Sequence, residues 1–468
     1  MTALACALVS GAMFYLAMGL DDVWWLAFLA PVPLLWLAYG GRPSRQVFAA
    51  GLFAYGAGQT YLFQCYAALM PVAMLAAMAA AFGILFAAAL LFARAARRRL
   101  SPLAALFAFP AAWAGIEYLA GLVSPHGSFG ALGYAVASFP AVLQIASLFG
   151  LYAVTFTVCL AANALALIAR GEKPAGGAGL ALFALVLAFG FARLAAPQAP
   201  PVKVAALADP DSWHRAQREH SLAAALAGSR QYADAIRRQA RDGVRVFAIP
   251  ETAIRLRPES QTAVLAPLAA AAKDTGALVV AGAFTATTPP RNRAFAFPGG
   301  GTARVYDKRH PLRPFDSEIA GTAPGLIGGG RAMAICKDLD FPGTIRGDAG
   351  HGLTVMIVPA NDFERDGWIH GRMAVLRGVE NGFAVLRSAF KGLETASDAQ
   401  GRVLAQAGTL GHGMIVMTAE LPPGPGPTLY TRIGDLFAWL CLAAVLAMAA
   451  AMAGRWRPRR HPQSDMPG

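Results

Sequence analysis

Hydrophobic positions crowd the two ends of this chain and thin out in its middle. Predominantly apolar stretches of roughly 20 residues, the length that crosses a bilayer, fall at about 2–20, 23–40, 47–67, 70–93, 103–122, 138–168 and 177–196, with one more at about 434–453. Between about 200 and 430 the charge density is ordinary, and short apolar runs alternate with amphipathic stretches of helical period. The pattern predicts a membrane domain of about seven transmembrane helices over 1–197 and a soluble domain over 200–425. A last span follows at 434–453, and a basic tail at 454–468. The first apolar stretch lacks a basic leader and is followed at once by others, so it is expected to be a retained helix and not a cleaved signal.

Within the soluble part, Val202–Ala208, Val244–Ile249, Ala277–Phe284, Arg293–Phe297, Ala303–Tyr306, Ala332–Ile335, Thr354–Val358, Phe383–Ser388 and Met414–Thr418 read as strands. Trp213–Arg241, Gln261–Lys273 and Trp368–Asn381 read as helices. Short apolar strands separated by helices imply sheets with helices packed outside, an α/β or layered-sandwich class. The glycine-rich stretch Gly321–Gly330 is long enough to form a lid, and Pro422–Pro427 is a stiff linker into the last span.

Charge changes the picture by its placement. The net charge of +13 invites a nucleic-acid reading, but much of the excess sits in short loops. Arg42 and Arg45 follow the second span, Arg94 and Arg97–Arg99 the fourth, Arg170 and Lys173 the sixth, and Arg455–Arg460 the eighth. This is the cytoplasmic bias of membrane proteins. It predicts that the soluble domain faces the opposite, periplasmic side, and no nucleic-acid partner is expected.

Four of the five cysteines, Cys6, Cys65, Cys159 and Cys441, lie inside apolar spans, where small-residue packing is their ordinary role. Cys336 stands apart, at the end of a strand in Arg331-Ala-Met-Ala-Ile-Cys-Lys-Asp. Ile249-Pro-Glu251 and Tyr306-Asp-Lys308 likewise end apolar runs, so strand ends deliver a carboxylate, an amine and a thiol. A thiol needs a base to become nucleophilic at neutral pH, and Glu251 is the candidate because no histidine stands close to any strand end in a triad-like pattern. Lys308 can supply positive charge where a tetrahedral oxyanion forms. Each residue alone has a plainer role: a helix-terminal carboxylate, a solvated loop lysine, a small core thiol. Glu117, an ionisable residue within a span, has both a functional and a structural reading. Trp213, Phe363 and Trp368 are candidates to line an acyl-chain entrance; His370 and His412 have no metal-like partners. No cofactor or metal is expected.

These three segments resemble the catalytic signatures of the nitrilase superfamily. With spans on both sides, the chain is similar to the apolipoprotein N-acyltransferase family. Trp113-Ala-Gly-Ile-Glu117, Gly127–Tyr134, Arg377-Gly-Val-Glu380 and Leu386–Gly392 extend the likeness along nearly the whole chain. The resemblance implies a nitrilase-like αββα sandwich inserted between transmembrane helices, with Glu251 as base, Lys308 as oxyanion stabiliser and Cys336 as nucleophile. It also implies ping-pong transfer of a fatty acyl chain from a phospholipid, through a thioester, to the N-terminal diacylglyceryl-cysteine of a lipoprotein or to another amine acceptor. The implied enzyme is a monomer spanning the bacterial inner membrane, working in lipoprotein biosynthesis. Departures fall around the acceptor. Lys337 and Asp338 replace an aromatic residue and a glutamate, and the second site carboxylate falls on Glu318 or Asp316. Asn361 is kept while Asp362, Glu364 and Asp366 add charge, and Glu380 is a further supporting candidate. Lys337 and those acids point to a polar acceptor pocket. Two alternatives remain: a membrane-anchored amidase that lets water resolve the thioester, and a non-catalytic scaffold.

Overall fold

The computed structural model describes residues 2–313 and 316–454. The basic tail from Arg455 onward, and Pro314 and Phe315 in the loop after Lys308, lie outside the described residues. Twelve strands build the soluble part: β1 (Val202–Ala208), β2 (Val246–Leu256), β3 (Leu278–Thr285), β4 (Arg291–Phe297), β5 (Arg304–Asp307), β6 (Leu326–Gly328), β7 (Arg331–Met333), β8 (Val355–Asn361), β9 (Ala384–Phe390), β10 (Leu393–Ser397), β11 (Val403–Gly408) and β12 (Ile415–Leu421). They form two six-stranded sheets, ordered β12-β1-β2-β3-β4-β5 and β11-β10-β9-β8-β7-β6.

Alternation along the central strands explains the layering. On β2, Val246 and Ala248 point between the sheets while Phe247 and Ile249 point out to the helices Leu222–Arg241 and Gln261–Thr275. On β8, Val355 and Ile357 join the interior, and Met356 and Val358 meet the outer layer formed by the Pro342–Ala349 and Gly367–Asn381 helices. Strands buried on both faces need apolar side chains at every position, which is why these segments read as continuous hydrophobic runs. The result is the αββα sandwich.

Local differences from the sequence reading have identifiable causes. The long amphipathic stretch Trp213–Arg241 is two helices, Pro210–Glu219 and Leu222–Arg241, broken at His220, which takes a left-handed φ of 49°. Ser221 restarts the helix by accepting from the Ala224 amide at 3.1 Å. The glycine-rich stretch is no free lid, because β6 lies within it and pairs with β7. The β10–β11 hairpin is an addition. Pro422–Pro427 is tied down, with the Gly424 amide donating to the Thr354 carbonyl at 2.8 Å.

Among the described residues five helices are long and apolar enough to cross a membrane: Val72–Arg99, Pro102–Val123, Leu151–Ala169, Lys173–Leu194 and Leu436–Gly454. Other apolar intervals are divided. The 23–40 interval splits into Leu26–Leu29 and Val32–Ala38 around Pro31, and 47–67 into Ser44–Gly58 and Tyr61–Tyr66. The 138–168 interval turns at Gly150, whose φ is +78°. A Cβ there would run into the Tyr430 ring, so glycine answers both the backbone angle and the close approach.

The soluble domain is seated on the bundle through the Gly367–Asn381 helix. Ala374 packs toward the second sheet, while Ile369, Met373, Leu376 and Val379 enter the core of the apolar bundle. Buried polar contacts fix the same joint: Arg377 donates to the Tyr134 hydroxyl at 2.9 Å, and the Leu151 amide donates to Glu380 at 2.6 Å.

Candidate active site

Lys308 and Cys336 follow the ends of strands, and Glu251 sits at a break in register within one. The parallel register of β2 and β3 breaks between Ile249 and Ile254, and Glu251 and Thr252 lie in that irregularity, Thr252 at φ +53°. Lys308 follows β5 directly and donates its amide to the Asn292 carbonyl at 2.9 Å. Cys336 begins the short 3-10 turn Cys336–Asp340 after β7, at φ +43°. A side chain in that left-handed region costs on the order of 1 kcal/mol or more and persists only where its surroundings hold it. Asp338 provides the hold. Its carboxylate accepts from the amides of Ile335 (2.9 Å), Arg309 (3.1 Å) and His310 (2.8 Å) and from the Tyr306 hydroxyl (2.6 Å). It ties the Cys336 turn to the segment that carries Lys308, from behind the site.

Lys308 Nζ lies 2.7 Å from a Glu251 carboxylate oxygen and 3.2 Å from Asp316. Asn292 donates to that same Glu251 oxygen at 2.7 Å. The Cys336 thiol donates to the Asn361 carbonyl at 3.7 Å. All five side chains line one cavity of about 310 Å³. Apolar lining comes from the 61–78 region of the bundle, through Leu62, Tyr66, Leu69, Met70, Leu75 and Met78.

Burial and the nearby Glu251 carboxylate push the Cys336 thiol well above its ordinary value, with Lys308 and Arg387 pulling the other way. The thiol therefore rests protonated and needs a base at the moment of attack. Burial works against the Lys308 charge, yet Glu251, Cys336 and Asp316 together hold its ammonium well above the usual lysine range. Lys308 is a fixed cation in a desolvated site, the condition under which it stabilises developing negative charge most effectively.

Of the other candidates, Asp316, Glu318 and Asn361 line the cavity. Asp316 reaches Lys308; the carboxyl of Glu318 is pushed upward by burial and by Asp316. Glu380 is outside the cavity, at the joint with the bundle, 2.8 Å from Arg377. Glu117 also has a structural contact set, accepting from the Leu132 amide (2.8 Å) and the Thr155 hydroxyl (2.7 Å). Phe363 lines the cavity, whereas Trp213 and Trp368 line other clefts. His412 pairs with Asp211 at 3.0 Å on the exposed surface. The acids expected to charge the acceptor pocket are mostly occupied by their own partners: Asp362 by Arg387, and Asp366 by His370 and the Tyr66 hydroxyl. Glu364 is exposed.

The sequence reading missed Asn292, whose amide stands between Arg291 and Arg293 and gives no signal of its own. It also missed that Lys337 donates to His126 Nδ1 at 3.1 Å while lying 3.4 Å from Asp340. Burial and Lys337 lower His126 to about 4, so this ring is neutral at physiological pH. Among the described residues no group of three or more His, Cys, Asp or Glu side chains is placed to hold a metal ion. The constellation can carry out acyl transfer: a thiol to attack, a carboxylate to take its proton, and an ammonium beside the oxyanion.

Both parts of the chain match known protein families. Residues 10–164 match the apolipoprotein N-acyltransferase N-terminal domain, and residues 193–424 match the carbon-nitrogen hydrolase domain. An apolipoprotein N-acyltransferase of Geobacter metallireducens is 27% identical, with 97% of this chain and 96% of that protein aligned. One of Bradyrhizobium diazoefficiens is 28% identical over 97% and 95%. Among solved structures, an amidase from Nesterenkonia sp. aligns with 53% of this chain and 98% of its own, at 19% identity and a TM-score of 0.40.

Proposed function

The chain belongs to the apolipoprotein N-acyltransferase family, a membrane-bound branch of the carbon-nitrogen hydrolases, and from that premise we propose that Cys336 carries a fatty acyl chain from a phospholipid to an amine, with Glu251 and Lys308 as its partners. The reaction is N-acylation of lipoproteins. Glu251 takes the thiol proton as Cys336 Sγ attacks the lipid ester carbonyl, and Lys308 faces the resulting oxyanion. Collapse expels the lysophospholipid alkoxide, which recovers the proton from Glu251, and leaves a thioester on Cys336. The amine of the incoming diacylglyceryl-cysteine attacks that thioester, Glu251 accepts a proton from the nitrogen, and the departing thiolate takes it back. Asp316 is the second site carboxylate, because it reaches Lys308. Asn292 holds Glu251 by donating to the oxygen that Lys308 shares.

One observation carries this reading: the polar side chains of the site and apolar side chains of the membrane bundle line a single cavity. Such a cleft suits a reacting ester at one end and an acyl chain along the other. It is complete within one chain, which supports a monomer. The orientation has its own support. Arg170 ends the Leu151–Ala169 helix and bonds the Trp36 carbonyl, while Arg97 pairs with Glu172 nearby at 2.7 Å. The other end of that helix, at Leu151, meets the catalytic domain through Glu380. Basic loops and catalytic domain thus lie at opposite ends of one helix of about 28 Å, as a cytoplasmic loop cluster and a periplasmic domain in an inner-membrane protein would.

Intact-protein mass spectrometry of the enzyme incubated with phosphatidylethanolamine tests the proposal. A fatty-acyl adduct on Cys336 that neutral hydroxylamine removes is expected. No adduct on the folded, reconstituted protein would overturn the phospholipid-donor reading in favour of an amidase acting on small amides.

A further inference from the structure

A second cleft, of about 410 Å³, opens beside the first and is lined by Trp213, Gln217, Thr252, Arg255 and Phe284. Thr252 lines both clefts, so the two meet one residue from Glu251. The second is lined by the catalytic domain alone, with no bundle residue and no carboxylate. Its volume lies within the range of ligand-binding clefts.

The cations beside it differ from four of the buried ones. Lys308, Lys337, Arg377 and Arg387 each have a carboxylate partner. Arg255 instead lies over the Phe284 ring, 4.6 Å from its centroid, and Lys391 lies over the Trp213 ring at 4.8 Å. Among the described residues neither side chain makes a hydrogen bond or an ion pair. Lys391 also lines the main cavity, so the two cations belong to neighbouring clefts that share Thr252. Half-buried cations presented on aromatic faces, with their hydrogen-bonding capacity unused, form a site complementary to an anion.

We infer that this second cleft receives the polypeptide of the acceptor, beyond its modified terminal cysteine, and favours an acidic side chain there. The acceptor's acyl chains belong with the apolar wall of the bundle, which leaves its peptide to exit through catalytic-domain surface. Arg255 lies four residues beyond Glu251 on β2, at most roughly 13 Å at the rise of a strand. About four extended residues cover that distance, so the acidic residue falls within about the first five of the acceptor.

With acyl transfer to an amine as the premise, the two half-reactions separate the outcomes. The full chain in phosphatidylethanolamine vesicles is first acylated on Cys336. It is then mixed with subsaturating diacylglyceryl-cysteinyl pentapeptides that differ only in Asp against Asn at the fifth position. The thioester is expected to discharge about fivefold faster to the acidic peptide, the scale of a solvent-accessible charge pair. Arg255→Gln should bring that ratio to about one, and Arg255→Glu should favour a lysine-bearing peptide instead. An unchanged ratio in both variants would overturn the inference. So would slower thioester formation from the lipid at an unchanged peptide ratio, which would assign Arg255 to the phospholipid head group. Failure of the wild-type enzyme to form any thioester would remove the premise, and the inference with it.

Discussion

Among the described residues two buried glutamate–cation pairs stand out, and they do different things. Glu251–Lys308 and Glu380–Arg377 have nearly the same separation, 2.7 and 2.8 Å, and both are almost wholly enclosed. The first faces a cavity that also holds a thiol. The second is used up by its surroundings, with Glu380 receiving the Leu151 amide and Arg377 reaching the Tyr134 hydroxyl, and it joins the catalytic domain to the bundle. A buried ion pair in a suggestive motif is therefore not enough to mark a catalytic group. What separates them is open volume next to the pair and a reactive atom across it.

The largest expected effect breaks the first pair. Cys336→Ala should abolish acylation by phosphatidylethanolamine, and Glu251→Gln should slow it about a thousandfold, the scale of a lost general base. Single-turnover labelling checks both, and rapid acylation of the Glu251→Gln enzyme would remove Glu251 as base. The second pair should respond in stability. Glu380→Gln, an isostere of the protonated carboxyl, should hold the unfolding midpoint in detergent near its low-pH value and remove its fall at higher pH. Acylation per folded molecule should survive; its loss at normal stability would erase the distinction between the pairs.

The same variant has a pH signature. Burial, only partly offset by Arg377, raises the Glu380 carboxyl from 4.5 to about 7. The folded state therefore holds this proton more tightly than the unfolded chain, and the contribution of Glu380 to stability falls as pH rises from about 4.5 to 7, then levels off. Glu380→Gln should flatten that fall, and an unchanged pH profile would contradict the assignment. The smallest effect refines the catalytic pair: Asn292→Ala removes one hydrogen bond to the Glu251 carboxylate and should lower the acylation rate about tenfold, near 1.5 kcal/mol.

Much of the fold was legible because central strands of a sandwich are apolar on both faces and announce themselves as runs. The triad was legible because each member ends such a run. What the sequence hid depends on distant contacts. Asn292 meets Glu251 across 41 residues, and Lys337 meets His126 across 211. The break at His220 and the turn at Gly150 are set by local backbone angles that hydrophobic periodicity does not carry. Asp316 and Glu318 were indistinguishable by spacing, and only the path of the loop brings Asp316 to Lys308. The charges around Asp362 and Asp366 suggested a polar pocket because their partners, Arg387 and His370, could not be read from the chain.

The central claim is that the thioester on Cys336 is resolved by an amine. The most direct measurement isolates the acylated enzyme, mixes it with a diacylglyceryl-cysteinyl peptide, and follows the acyl group as the adduct decays. The account predicts that the chain appears as an amide on the peptide nitrogen, with slow decay when the peptide is left out. Equal decay in buffer alone, with the chain recovered as free fatty acid, would contradict it.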